Sequence, residues 1–307
     1  MPPALTGNIT PTPWLFAGVL LISGTSLICM PEYAMAIVLF LPALYCIFAS
    51  RTDGLLKYAV AFSPICLGLI PAFIEGAITY AIIIICGLLM WEMIKKNMPG
   101  MSVFIPTIAA SLIFISMIAL LSYKSGSTIN HTVSVWVKAM LDNFVRQYST
   151  VLDPGDINAF NVNRPSIEAV IIKLFSSITV IGTAMIMWFN LVIASKLALK
   201  TDLSQWSCPN WVIIVFIIAS VCSLLPNKTV NTIGLNILLI VGIAYFFQGL
   251  SVIAFMFDTM KIWTGWRIFF YLLIITQMYI MIMAILLGLF DNWFYFRKRI
   301  KIKGDQA

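Results

Sequence analysis

From Ala77 to Trp91 the chain carries no charged residue, and within that stretch Ala81-Ile-Ile-Ile-Ile-Cys86 is apolar without a break. Runs of this kind recur along the sequence and constrain the fold more than any other feature. Strands of a membrane barrel alternate apolar and polar residues, which these runs do not. In lipid a backbone segment must satisfy its own hydrogen bonds, so continuous apolar runs are read as helices. The whole chain is 61% hydrophobic and 10% charged, whereas a soluble domain carries roughly 25% charged residues. A soluble fold this poor in charge could not cover its own surface. The expectation is an all-α polytopic transmembrane helical bundle, a single integral membrane domain over residues 1–307, with the lipid bilayer as its main partner.

A spanning helix needs about 20 apolar residues. Runs of suitable character lie at 14–30, 33–49, 55–73, 77–91, 101–123, 171–199, 211–225, 231–257 and 266–290. The first two are separated by Pro31-Glu32, which reads as a tight helical hairpin, and the third is interrupted by Pro64 and Pro71. Trp14, Trp91, Trp211, Trp263, Trp266 and Trp293 sit at run ends, where interfacial tryptophans belong. Basic residues concentrate in cytoplasmic loops. That rule puts Arg51, Lys57, Lys95, Lys96, Lys196 and Lys200 on one side, and nine spans would then strand the basic C-terminus on the other. The expectation is therefore about eight spans in the cell inner membrane with both termini cytoplasmic. The run at 211–225, which is short, and the glycine-interrupted run at 231–257 are the places where the count can change.

Residues 124–168 form the largest polar region and are expected outside the membrane. Within it Val133, Trp136, Met140, Phe144, Tyr148 and Val151 recur every three or four residues. That spacing predicts an amphipathic helix near 131–150, lying on the membrane or on the bundle. Lys138, Asp142 and Arg146 are four apart and can pair along it. Residues 294–307 form a basic tail. Its Arg297, Lys298 and Arg299 are candidates for contact with anionic lipid or a membrane protein partner. The net charge of +7 is otherwise spread over run ends and is not a nucleic-acid signature.

Motifs for catalysis are missing. The sequence has no HExxH, GxSxG or Walker A pattern. It has one histidine, His131, and six cysteines without a CxxC pair. The expectation is a protein that is not an enzyme, with no metal and no cofactor. Acidic residues inside the apolar runs are nearly absent, which argues against a proton relay. The informative polar residues are amides: Asn190, Asn236, Gln248 and Gln277. Gln248-Gly249 stands mid-run beside aromatic residues, in Tyr245-Phe-Phe-Gln-Gly-Leu250. Asn190, Asn236, Gln248 and Gly249 are the candidate ligand-binding residues for a small-molecule solute. A solute site would gather these amides around a common void. The competing reading is that each amide hydrogen-bonds to a neighbouring helix.

The stretch from Asn236 to Gln248-Gly249, the segment Leu287-Gly-Leu-Phe-Asp291-Asn-Trp, and Arg297-Lys-Arg299, together with Asn190 and Lys196, resemble the YybS-like family of bacterial membrane proteins. That family is distantly similar to the substrate-binding S components of energy-coupling factor transporters. The resemblance implies a solute-binding or transport-related helical bundle. S components couple through alanines spaced by four on the first helix, and this chain has Ala17, Gly18, Ser23 and Gly24 there instead. The alternative function is a non-transport membrane scaffold, held to its partner by the 131–150 helix and the basic tail.

Overall fold

In a computed structural model the described residues are 13–30, 39–96, 98, 100–149, 151, 153–199 and 202–297. All regular secondary structure among them is helical. The helices are α1 (Pro13–Cys29), α2 (Leu41–Ala49), α3 (Leu56–Phe62), α4 (Ile74–Lys95), α5 (Met101–Lys124) and α6 (Ile129–Tyr148). They continue with α7 (Pro154–Ala194), α8 (Val212–Leu224), α9 (Lys228–Thr259), α10 (Thr264–Thr276) and α11 (Met278–Phe294). The expected hairpin at Pro31-Glu32 lies outside the described residues.

Four helical stretches are long and apolar enough to cross a bilayer: Pro71–Lys95, Met101–Lys124, Gly155–Ala198 and Lys228–Thr259. The pair α10 and α11 adds a fifth if the two are counted as one broken span. The expected count of about eight therefore comes down. The physical reason is length, because α1, α8 and the Leu56–Leu69 stretch hold 17 residues or fewer. At 1.5 Å per residue such helices fall short of a hydrocarbon core of about 30 Å.

The run at 55–73 breaks where its prolines predict. After α3 the backbone tightens into 3-10 turns over Ser63–Leu69 and Pro71–Phe73, each with proline at its first or second position. Glu75 falls in the first turn of α4, where a negative charge meets the positive end of the helix dipole. The run at 231–257 does not break. It is one helix through Gly249, opened by Asn227, whose side chain accepts from the Thr229 and Val230 amides. The last run does break, at Gln277, where α10 and α11 meet with a bend of 103°.

The chain divides into two compact units. The first comprises Met1–Ala110 and Met185–Leu203, the second Ser111–Ala184 and Ser204–Ala307. The core of the first unit is built by α1, α2 and α4, with Leu20, Leu41, Tyr45, Phe48 and Ile84 fully enclosed. Tyr80 lies among them and its hydroxyl donates to the Ala61 carbonyl at 2.8 Å.

In the second unit α9 packs on α8 and α11. Gly249 and Gly288 form the α9–α11 crossing. A Cβ on Gly249 would stand 1.9 Å from the Ala284 carbonyl oxygen, and one on Gly288 would stand 2.0 Å from that of Tyr245. The backbones touch, as small residues allow helices in lipid to do.

The amphipathic helix expected near 131–150 is α6. It rests on protein: Val133, Val137 and Leu141 are buried against Ile118 of α5 and against Phe160, Ile167 and Ile171 of α7. The expected Lys138–Asp142–Arg146 ladder does not form. Asp142 pairs instead with Arg164 at 2.7 Å, and Arg164 also reaches Glu168 at 2.9 Å. Arg164 is half-buried and already fixed by Glu168 one turn on, so it loses less side-chain freedom in pairing than the exposed Lys138 or Arg146 would.

Candidate functional site

Asn190 is fully buried near the end of α7. Its Oδ1 accepts from the Ala43 amide at 2.8 Å, and its Nδ2 donates to the carbonyls of Leu39 at 2.7 Å and Ile186 at 2.8 Å. The first amides of a helix have no partner within it. The residue before α2 is Phe40, which has no capping side chain, so Asn190 supplies the cap from another helix.

Asn236 does the same work on α7 from α9. Its Oδ1 accepts from the Ser177 amide at 3.0 Å, and its Nδ2 donates to Lys173 and Thr232 carbonyls at 3.0 and 2.9 Å. In both cases the amide bridges an amide and a carbonyl four residues apart on the partner, and also bonds its own helix one turn back. Asn236 and Gln248 lie twelve residues apart on one continuous helix, about 18 Å along its axis. Each of these amides is engaged with its own neighbour.

Gln248 is the centre of a buried polar cluster in the second unit. Its Oε1 accepts from the Cys208 amide at 3.1 Å, and its Nε2 donates to Asn292 Oδ1 at 3.0 Å and Asp291 Oδ2 at 3.3 Å. Asp291, itself buried, pairs with Arg297 at 3.3 Å and accepts from the Phe296 amide at 3.1 Å. Arg297 also donates to the Trp206 carbonyl at 2.7 Å, and Asn292 donates to the Tyr245 hydroxyl at 3.4 Å. Burial pushes the thiol of Cys208, in the loop before α8, up to about 12, so it stays protonated and inert at neutral pH.

Gly249 serves the close α9–α11 crossing. Arg297 turns inward and ties the end of α11 to the loop before α8. Lys298 and Arg299 lie outside the described residues. Asp291 and Asn292, which carry part of the family resemblance but are not among the candidate ligand-binding residues, complete the cluster together with Cys208. The available signal was a lone carboxylate at the end of an apolar run, six residues before an arginine.

In the first unit the 3-10 turns after α3 line an apolar groove of about 510 Å³ against the start of α4. Phe62, Ile65 and Leu69 form one wall and Ala77, Ile78 and Ala81 the other.

The family described as Predicted membrane protein (DUF2232) matches the chain over residues 18–292. Comparison with curated proteins and with solved structures gave no match.

Proposed function

This chain belongs to the DUF2232 family of predicted membrane proteins, and on that premise we propose that it is a solute-binding, transport-related helical bundle. The observation that carries this reading is the groove beside the interrupted segment 56–73. Irregular backbone at membrane depth is tolerated where it is buried in protein or lines a cavity. Broken helices of this kind form the solute sites of many transporters. The groove falls within the 300–1,000 Å³ span of ordinary ligand pockets, as roughly expected for a small molecule. Its apolar walls suit an apolar solute or an acyl chain.

The resemblance to the YybS-like family and to S components supports the same reading. Counted as four crossings, the spans are even in number, and with the placement of basic residues this supports both termini on the cytoplasmic side of the cell membrane. The amides Asn190, Asn236 and Gln248 act here by holding helices together, each within its own unit. The protein performs no chemistry of its own and uses no cofactor.

Native mass spectrometry of the purified full chain tests the reading. The expected result is a retained small apolar molecule or lipid, lost in Ala81→Phe, which fills the groove. A chain that retains nothing, or an Ala81→Phe variant that retains the same molecule equally, overturns it.

The scaffold alternative is favoured by one observation. Helix α6 buries Val133, Val137 and Leu141 but leaves Met140, Phe144 and Tyr148 exposed, with the Phe144 and Tyr148 rings 5.0 Å apart. Co-purification of a membrane protein that Phe144→Ser releases would establish that reading in place of the first.

A further inference from the structure

The first unit has a basic end. There α2 finishes, α3 begins and α4 finishes, and the segments bring together Arg51, Lys57, Lys95 and Lys96 against Asp53 and Glu92. The Arg51 guanidinium lies over the Phe16 ring, 4.5 Å from its centroid. Lys57 is unusual for a lysine in being only 9% exposed. Its ammonium sits 5.3 Å from the Tyr58 ring and 5.8 Å from the Trp91 ring. Glu92, the nearby carboxylate, is engaged by the Tyr58 hydroxyl at 3.4 Å. Among the described residues no carboxylate forms an ion pair with Lys57.

Three buried polar atoms at this end have no hydrogen-bond partner among the described residues. They are the Tyr45 hydroxyl, the Thr52 hydroxyl and the Trp91 indole nitrogen. Tyr45 is fully buried, and Thr52 is 8% exposed. Tyr45 packs on Gly87, one turn before Trp91 on α4, and lies within electrostatic reach of Tyr58 and Glu92. Leaving a buried donor unmatched is costly, and here Trp91 stands beside the Lys57 ammonium while Tyr45 and Thr52 belong to the same end of the unit. All four can donate: two hydroxyls, one indole N–H and one ammonium. A donor set with a positive charge is complementary to a group with several acceptor oxygens and a negative charge.

We infer that the basic end of the first unit is a binding site for a phosphate group, with Lys57 supplying the charge and Trp91, Tyr45 and Thr52 the directed hydrogen bonds. Trp91, Lys95 and Lys96 end the apolar helix α4, which sets the site at the depth of lipid headgroups. Basic pockets between helices at that depth hold anionic headgroups. A lipid headgroup and free phosphate share this chemistry. The site is separate from the apolar groove and does not depend on what fills it.

The experiment uses the full chain, delipidated in neutral detergent, then offered phosphatidylglycerol or phosphatidylcholine and read by native mass spectrometry. Wild type is expected to retain phosphatidylglycerol about fivefold better, the worth of one lysine at a membrane surface. Lys57→Gln removes that preference and Lys57→Arg keeps it. Trp91→Phe keeps the ring but deletes the N–H, and lowers retention without changing the melting temperature. It serves as the test should Lys57→Gln fail to fold.

Inorganic phosphate that displaces the lipid and raises the melting temperature identifies the free ion as a ligand of the same site. Phosphate without effect, with phosphatidylglycerol still preferred, identifies the headgroup. Equal retention of the two lipids by wild type with no response to phosphate overturns the site. So does a preference that both Lys57→Gln and Trp91→Phe leave unchanged.

Discussion

Two regions of the molecule, the cluster around Gln248 and the end of the first unit around Lys57, treat buried polarity in opposite ways. In the second unit Gln248 is bonded through both of its amide atoms, and Asp291 is held by Gln248, Arg297 and the Phe296 amide. In the first unit the Tyr45 and Thr52 hydroxyls and the Trp91 N–H have no hydrogen-bond partner among the described residues, and the Trp91 ring lies beside Lys57. A closed network stabilises helix packing and gains nothing from a ligand. An open set of donors is destabilising until something accepts from it. The contrast separates the part of the molecule built to hold its helices from the part built to hold something else.

The contrast breaks if the closed network proves dispensable. Asp291→Ala leaves Arg297 as an uncompensated buried charge, and should lower stability by about 3 kcal/mol or more. Thermal or denaturant unfolding in detergent measures this, and a loss under about 1 kcal/mol would mean that Arg297 finds water or another partner.

The two clamping asparagines give a smaller effect and sharpen the same point. Asn190→Leu exposes unpaired backbone in a fully buried place and should cost about 2 kcal/mol. Asn236→Leu, at a half-buried place, should cost about 1 kcal/mol or less. The same unfolding assay ranks them, and the reverse order would show that burial does not set the worth of the clamp.

The smallest effect is expected where the structure leaves donors open. Tyr45→Phe removes an unpartnered hydroxyl and should leave the stability of the ligand-free chain within about 0.5 kcal/mol of wild type, or raise it. A marked loss on removing that hydroxyl would place a partner on it and close the comparison.

Much of this fold is readable from residue pattern. The apolar runs mark the helices, Pro64 and Pro71 mark the 3-10 turns, and the three-to-four spacing from Val133 to Tyr148 marks α6. The amides were visible as buried polar groups, but their partners were not. Asn190 and Asn236 bond to backbone atoms of distant segments, and a backbone amide has no sequence signature. The role of Arg297 was hidden for a related reason. Within a cluster of basic residues it resembles the rest, and only the fold brings Asp291 and the Trp206 carbonyl to it. Lys57 was legible only as a charge at the end of a run. Tyr45, Thr52 and Trp91 are ordinary residues for such places, and their lack of partners appears only in three dimensions.

The 103° corner at Gln277 joins two helices that are both tied to α9. At the start of α10, Arg267 donates to the Phe257 and Ile262 carbonyls and pairs with Asp258, which locks α10 to the end of α9. Along α11, Gly288 and Ala284 lie against Tyr245 and Gly249, which locks α11 to the middle of the same helix. Three bars pinned at three joints make a truss, and a truss cannot flex at one corner while its sides keep their lengths. The kink is thus a brace rather than a hinge. Adding or removing one residue there would turn α11 about its axis by roughly 100° and carry Gly288 away from its seat.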